Sequence, residues 1–194
     1  MVSFPEQFNL ADYFLFDRLR EARGDRVAIR FGERRWTYAE VAERTRSLAN
    51  AFATIGVPRE HRILIALPDT PPFAWSLFAT LAHGGVVAMA NPHAPTSDLE
   101  YVLHYSRAAA LITTPEVAAQ LAPVLAASPH LLALLLVPDV ATGGDCEVEV
   151  PRPSGLRYAR FPVLSLSRAT ITREWQSARA WLYRRMTKGR RHDG

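Results

Sequence analysis

Cysteine and lysine are almost missing from this sequence: each occurs once, as Cys146 and Lys188, in a chain of 194 residues. A single cysteine excludes an internal disulfide. Its neighbours Asp145 and Glu147 raise a thiol pKa, the wrong direction for a nucleophile, so Cys146 reads as inert. Long hydrophobic runs are missing too. The longest, Leu131–Val137, is far short of the ~20 residues that cross a bilayer. The opening MVSFPEQFNLADYF carries Glu6 and Asp12 and no basic start, unlike a secretory leader. These absences lead to the expectation of a cytoplasmic protein with no membrane partner.

Conventional catalytic patterns are scarce as well. The histidines are His61, His83, His93, His104, His130 and His192, and no pair has metal-ligand spacing with a cysteine or carboxylate. There is no Gly-x-Ser-x-Gly elbow. Gly84-Gly85 lacks the third glycine of a dinucleotide fingerprint. His83 reads as a helix-end residue and Asp69 as a helix cap. His93 sits in a loop after a strand, where ligands of α/β sheets bind. Metal ligands and catalytic residues are therefore not assigned.

What is present suffices for a packed domain: 48% hydrophobic and 22% charged residues. The net charge of +4 is uneven. Residues 168–194 hold eight basic and two acidic side chains, a formal +6, leaving the rest at −2. The basic character belongs to the tail, so a nucleic-acid partner is not expected for the domain. A nucleic-acid-binding module would have to rest on that tail, where Trp175, Trp181 and Tyr183 lie among arginines.

The patterning reads as helix, strand pair, then repeated strand–helix alternation. Residues 11–23 have helical spacing closed by Gly24; Val27–Phe31 and Arg35–Thr37 read as strands joined at Gly32. Thr37-Tyr-Ala-Glu40 is a capping box for a helix to about Ile55, ended by Gly56. Arg62–Leu67 has almost no polar face and reads as a central strand. A helix from Asp69-Thr-Pro-Pro to His83, a strand Val86–Ala90, and a second capping box Ser97-Asp-Leu-Glu100 with its helix follow. Next come a strand Ala108–Thr113, a helix capped by Thr114 through about Ala127, and a strand Leu131–Val137. Residues 138–160 read as loop, and Phe161–Leu166 as a further strand. The order predicts an α/β fold, a layered domain with a mainly parallel sheet flanked by helices.

Three stretches, in order, carry a family resemblance. WTYAEVAERTRSLANAF (36–52) resembles the first core motif of the AMP-forming adenylating enzymes, and residues 62–113 resemble the second, with its helix, glycine pair, strand and Asn-Pro loop. FNLADYFLFDRLREARGDRVAIRFGERRWTY (8–38) is similar to the start of benzoate-CoA ligases and other aryl-acid relatives. The resemblance implies the N-terminal subdomain of an AMP-dependent synthetase/ligase over residues 5–166. It implies a carboxylic, aryl or short acyl acid activated with ATP and Mg2+ to an acyl-adenylate and passed to coenzyme A. A carrier-protein thiol remains an alternative acceptor.

The family's phosphate loop ends in Thr-Lys-Gly after a strand written Trp-Leu-Tyr. Trp181-Leu182-Tyr183 and Thr187, Lys188 and Gly189 resemble these parts, which gives the lone lysine a place. Backbone N–H groups and a lysine charge could then hold phosphate oxygens. Arg184-Arg185-Met186 stand where the family has small residues, and only glycine freely takes positive φ. Residues 167–194 are therefore expected to be an aberrant basic tail, the product of a shifted reading frame. The acyl pocket, adenine site and C-terminal domain that the resemblance implies are not expected within these residues. The chain is expected to be inactive alone, or to be one half of a split ligase completed by a second half.

Overall fold

Three helices share one way of ending. The computed structural model describes residues 8–137 and two further strand segments, Glu147–Val150 and Ala159–Pro162. An N-terminal π-helical turn, Asp12–Phe16, runs into α1 (Asp17–Arg20). It closes when Arg23 N donates to Arg18 O (2.8 Å) and Ala22 N to Leu19 O (3.1 Å), the pairing of a Schellman motif. Ala22, with φ 57°, takes the left-handed position. The expected closure at Gly24 is thus displaced: the helix stops at Arg20 and Gly24 instead accepts from Ala39 N (3.0 Å). Gly84 (φ 83°) ends α3 (Pro71–His83) through the same pair of bonds, Gly84 N to Leu81 O and Gly85 N to Thr80 O. Gly56 (φ 87°) ends α2 (Tyr38–Ile55), where Val57 N donates to Phe52 O.

β1 (Val27–Phe31) and β2 (Arg34–Thr37) form an antiparallel hairpin around Gly32. Thr37 then caps α2 as the sequence predicts. Its hydroxyl accepts from Glu40 N (3.2 Å), and the Glu40 carboxylate accepts from Thr37 N (2.7 Å). The hairpin is pinned by a cluster of Leu15, Trp36, Val41, Ala42 and Trp75. The two tryptophan rings meet at 6.2 Å, edge to face, and the Arg44 guanidinium lies 5.3 Å from the Trp75 ring.

The main sheet has the order β4-β3-β5-β6-β7-β8. Its parallel part is β4 (Val86–Met89), β3 (Arg62–Ala66), β5 (Ala110–Thr113) and β6 (Ala133–Leu136). Alternation along each strand divides the core in two. Ile63, Ile65, Ala110, Ile112, Ala133 and Leu135 pack against α2 and α3 through Leu48, Phe52, Ile55 and Ala79. Leu64, Ala66, Leu111, Leu134 and Leu136 face α4 (Thr96–Ser106), α5 (Pro115–Gln120) and α6 (Ala122–Ala127). Burial on both faces of β3, β5 and β6 explains why these three strands lack a polar side. Each fully buried Leu or Ile contributes about 1.5–3 kcal/mol relative to exposure.

Four local expectations are corrected. Ser97 caps nothing: α4 begins at Thr96 with Pro95 before it, so Glu100 lies too far along to close a box, and the Ser97 hydroxyl donates to Asp98. Asp69 is not a cap either, because Thr70 occupies that position without a side-chain cap bond. The helix after Thr114 is broken at Leu121, since Pro123 has no N–H to donate to the carbonyl four residues back. Finally, β7 (Glu147–Val150) lies inside the expected loop and pairs antiparallel with β6, while β8 (Ala159–Pro162) starts before the expected strand.

Candidate functional site

The first two crossovers of the sheet run to opposite sides. β3 leads through α3 to β4 on one side, and β4 leads through α4 back across to β5 on the other. Helices α3 and α5 lie on opposite faces. The carboxyl ends of β3 and β5 therefore form a topological switch point, where open α/β sheets bind ligands. The loops that leave these strand ends are Pro68-Asp69-Thr70 and Thr114-Pro115-Glu116, with Asn91–Pro95 beside them after β4.

The floor is fixed by Thr113. Its side chain, fully buried, donates from Oγ1 to Ala66 O at 2.9 Å and locks β5 to β3 at the mouth. Beyond it, the Thr114 hydroxyl accepts from Val117 N (3.4 Å) and caps α5, as predicted. Glu116 is exposed, and its carboxyl is held below its ordinary pKa by the Thr114 side chain and then by its own backbone N–H. The sequence pattern places Thr113 at a strand end and Thr114-Pro115-Glu116 at a helix start, and gives neither Thr113 nor Glu116 a site role.

The opposite wall offers little to a phosphate. Pro71 and Pro72 open α3 and have no N–H groups, and Phe73 N is already committed to Thr70 O (2.9 Å). Thr70 itself turns back, with N and Oγ1 both directed to Pro68 O. This helix start lacks the converging free N–H groups of an anion site. His93 is exposed in the third loop, its N–H bonded to Asn91 Oδ1 at 3.0 Å. His83 is structural: its Nε2 lies 2.8 Å from Val57 O and its ring leans on Phe52.

Among the described residues, no group of three or more His, Cys, Asp or Glu is placed to hold a metal ion. Thr187, Lys188 and Gly189 lie outside the described residues, as do Cys146 and His192. No helix is long and apolar enough to cross a membrane among the described residues.

Residues 16–153 match the family model of the AMP-binding enzymes. The chain is 33% identical over 89 residues to the 2,3-dihydroxybenzoate-AMP ligase of Bacillus subtilis, covering 46% of this chain and 16% of the relative. It is 28% identical over 147 residues to tyrocidine synthase 3 of Brevibacillus parabrevis, covering 76% of this chain and 2% of that one. The crystal structure of a benzoate CoA ligase from Burkholderia xenovorans superposes with a TM-score of 0.61 at 31% identity, over 70% of this chain and 27% of the ligase. The chain thus spans about a quarter or less of the length of these relatives.

Proposed function

Because the chain belongs to the AMP-binding enzyme family, we propose that residues 5–166 form the N-terminal subdomain of an acid-adenylating ligase. In its complete form that ligase joins a carboxylic acid to ATP, releases pyrophosphate, and passes the acyl group to a thiol. The observation that carries this reading is the family match over 16–153 falling on a parallel sheet with a switch point between β3 and β5. The likeness to a benzoate CoA ligase at 31% identity supports an aryl acid as substrate and coenzyme A as acceptor.

A second reading keeps the chemistry and changes the acceptor. The match to tyrocidine synthase 3 over 76% of this chain favours a carrier-protein thiol. In either case we propose Thr187, Lys188 and Gly189 as the remnant of the loop that would hold the ATP phosphates, with residues 167–194 as an altered tail. We further propose that the described residues act in adenylation only together with a complementing part.

The test is a chimera in which residues 8–137 replace the matching segment of a benzoate-CoA ligase. Benzoate-dependent exchange of pyrophosphate into ATP is measured beside the present chain alone. Exchange by the chimera and none by the chain is the expected result. A folded chimera without exchange removes the ligase reading, and exchange by the chain alone removes its dependence on a complementing part.

A further inference from the structure

The edge of the sheet opposite the switch point holds a feature the adenylation reading does not use. Between the end of α4 and the loop entering β6 lies a cleft of about 120 Å3, several times what one water needs. Buried Leu103 and Ala108 form its floor, and His104, Arg107, Ser128 and His130 its rim. Helices α4 and α6 both end here, and their carbonyl ends favour nearby cations by about 0.3–1 kcal/mol. That accounts for some positive charge at this edge but not for two further observations.

The first is the backbone of Arg107. It stands at φ 49°, ψ 47°, the left-handed closing position of α4, which α2 and α3 fill with Gly56 and Gly84. Glycine is the low-cost residue there. Ala22 and Glu60 also take positive φ, but neither lines this cleft. The second observation is that these rim groups are unpaired. No ion pair joins His104, Arg107 or His130 to another described residue. No side-chain hydrogen bond of His104, Arg107 or His130 occurs among the described residues.

We propose that this cleft is an oxyanion site for a phosphate-bearing small molecule. A guanidinium offers two parallel donors to a tetrahedral oxyanion. Each imidazole adds a ring N–H, and the Ser128 hydroxyl a further donor. A metal cation would have to sit beside the permanent charge of Arg107, so the same rim disfavours it.

Histidine footprinting with diethyl pyrocarbonate, read by mass spectrometry, tests this on the full chain and tolerates self-association. Inorganic phosphate, pyrophosphate and glycerol phosphate are the probes, at constant ionic strength. Acylation of His104 and His130 should slow saturably, while exposed His93 at the opposite edge serves as the control. Preference for the ester identifies an esterified ligand, and preference for the inorganic ions a free one. Arg107→Gly suits the left-handed backbone and so preserves the fold; it should raise the half-protecting concentration about tenfold or more. Equal rates at all three histidines with and without probe, or unchanged protection in Arg107→Gly, overturn the proposal.

Discussion

The Thr113 hydroxyl donates to the carbonyl oxygen of Ala66 at 2.9 Å, with both residues fully buried at the mouth of the switch point. This bond joins β5 to β3 where their chains depart to opposite faces. Thr113→Val keeps shape and removes the donor, leaving the Ala66 carbonyl one partner short. The expected loss is about 1 kcal/mol or somewhat more, read from urea midpoints, whereas Thr113→Ser should keep the bond and lose only a methyl contact.

The start of α2 gives a prediction in pH. Glu40 accepts from Thr37 N and from the Thr37 side chain, which hold its carboxyl below the ordinary value, with Arg44 assisting. A depressed carboxyl contributes stability that is present above its unfolded pKa, about 4.3, and is lost as pH falls through the folded value. The stability difference between the wild type and Glu40→Gln should therefore be constant near neutrality and shrink as pH falls below about 4.3. Thr37→Ala should cost about 0.5–2 kcal/mol at neutral pH. Thermal melts across the acid range check both; a difference that does not shrink in acid would refute the assignment.

The Gly84-Gly85 pair separates two kinds of glycine requirement. At Gly84 the left-handed backbone (φ 83°) is the obstacle, since an added Cβ would meet only the Arg59 side chain at ordinary distance. Gly84→Ala should cost about 1–2 kcal/mol and Gly84→Asn less. At Gly85 the obstacle is space: a Cβ would lie 3.1 Å from Ile63 Cδ1 and 3.2 Å from Thr80 O. Gly85→Ala should be destabilising although its backbone is ordinary, and denaturant melts of the three variants rank them.

Strand β4 pairs only with β3 among the described residues, and it exposes Val86 at 45% and Met89 at 61%. An apolar open edge promotes intermolecular pairing. The chain alone should self-associate, and Met89→Lys should shift its light-scattering profile towards the monomer. A wild-type chain that is already a monodisperse monomer contradicts this.

The tail is tested at the level of the gene. If residues 167–194 arise from a shifted reading frame, the coding DNA read in another frame encodes small residues where Arg184-Arg185-Met186 stand. Resequencing from about codon 165 onward decides it, and codons unable to encode such a segment in any frame exclude the idea.

Much of the fold is legible in the sequence where one residue type has one local solution. Thr37 with Glu40, Gly32, Gly56, Gly84 and Thr114 all act where the pattern places them. The failures come from competition between neighbours. Gly24 lost the closing position to Ala22 because the bonds of Arg23 and Ala22 could already form two residues earlier. Ser97 lost its capping role because α4 starts a residue sooner, at Thr96. Strand β7, Glu-Val-Glu-Val, alternates as a strand should, but its charge and the nearby Gly143-Gly144 disguised it as loop. The site was less legible. The lone lysine drew attention to residues outside the described part. Thr113 shows its role only when β3 and β5, far apart in sequence, lie side by side.

The strand order β4-β3-β5-β6-β7-β8 also has a meaning in time. As the chain leaves the ribosome, β3 is the first strand of this sheet to emerge, and β4 and then β5 settle on its two flanks. Each later strand joins at the newest outer boundary, and none has to be inserted between two already paired. The sheet can grow in step with synthesis from its oldest strand outward, with β6, β7 and β8 each covering the boundary left by the one before.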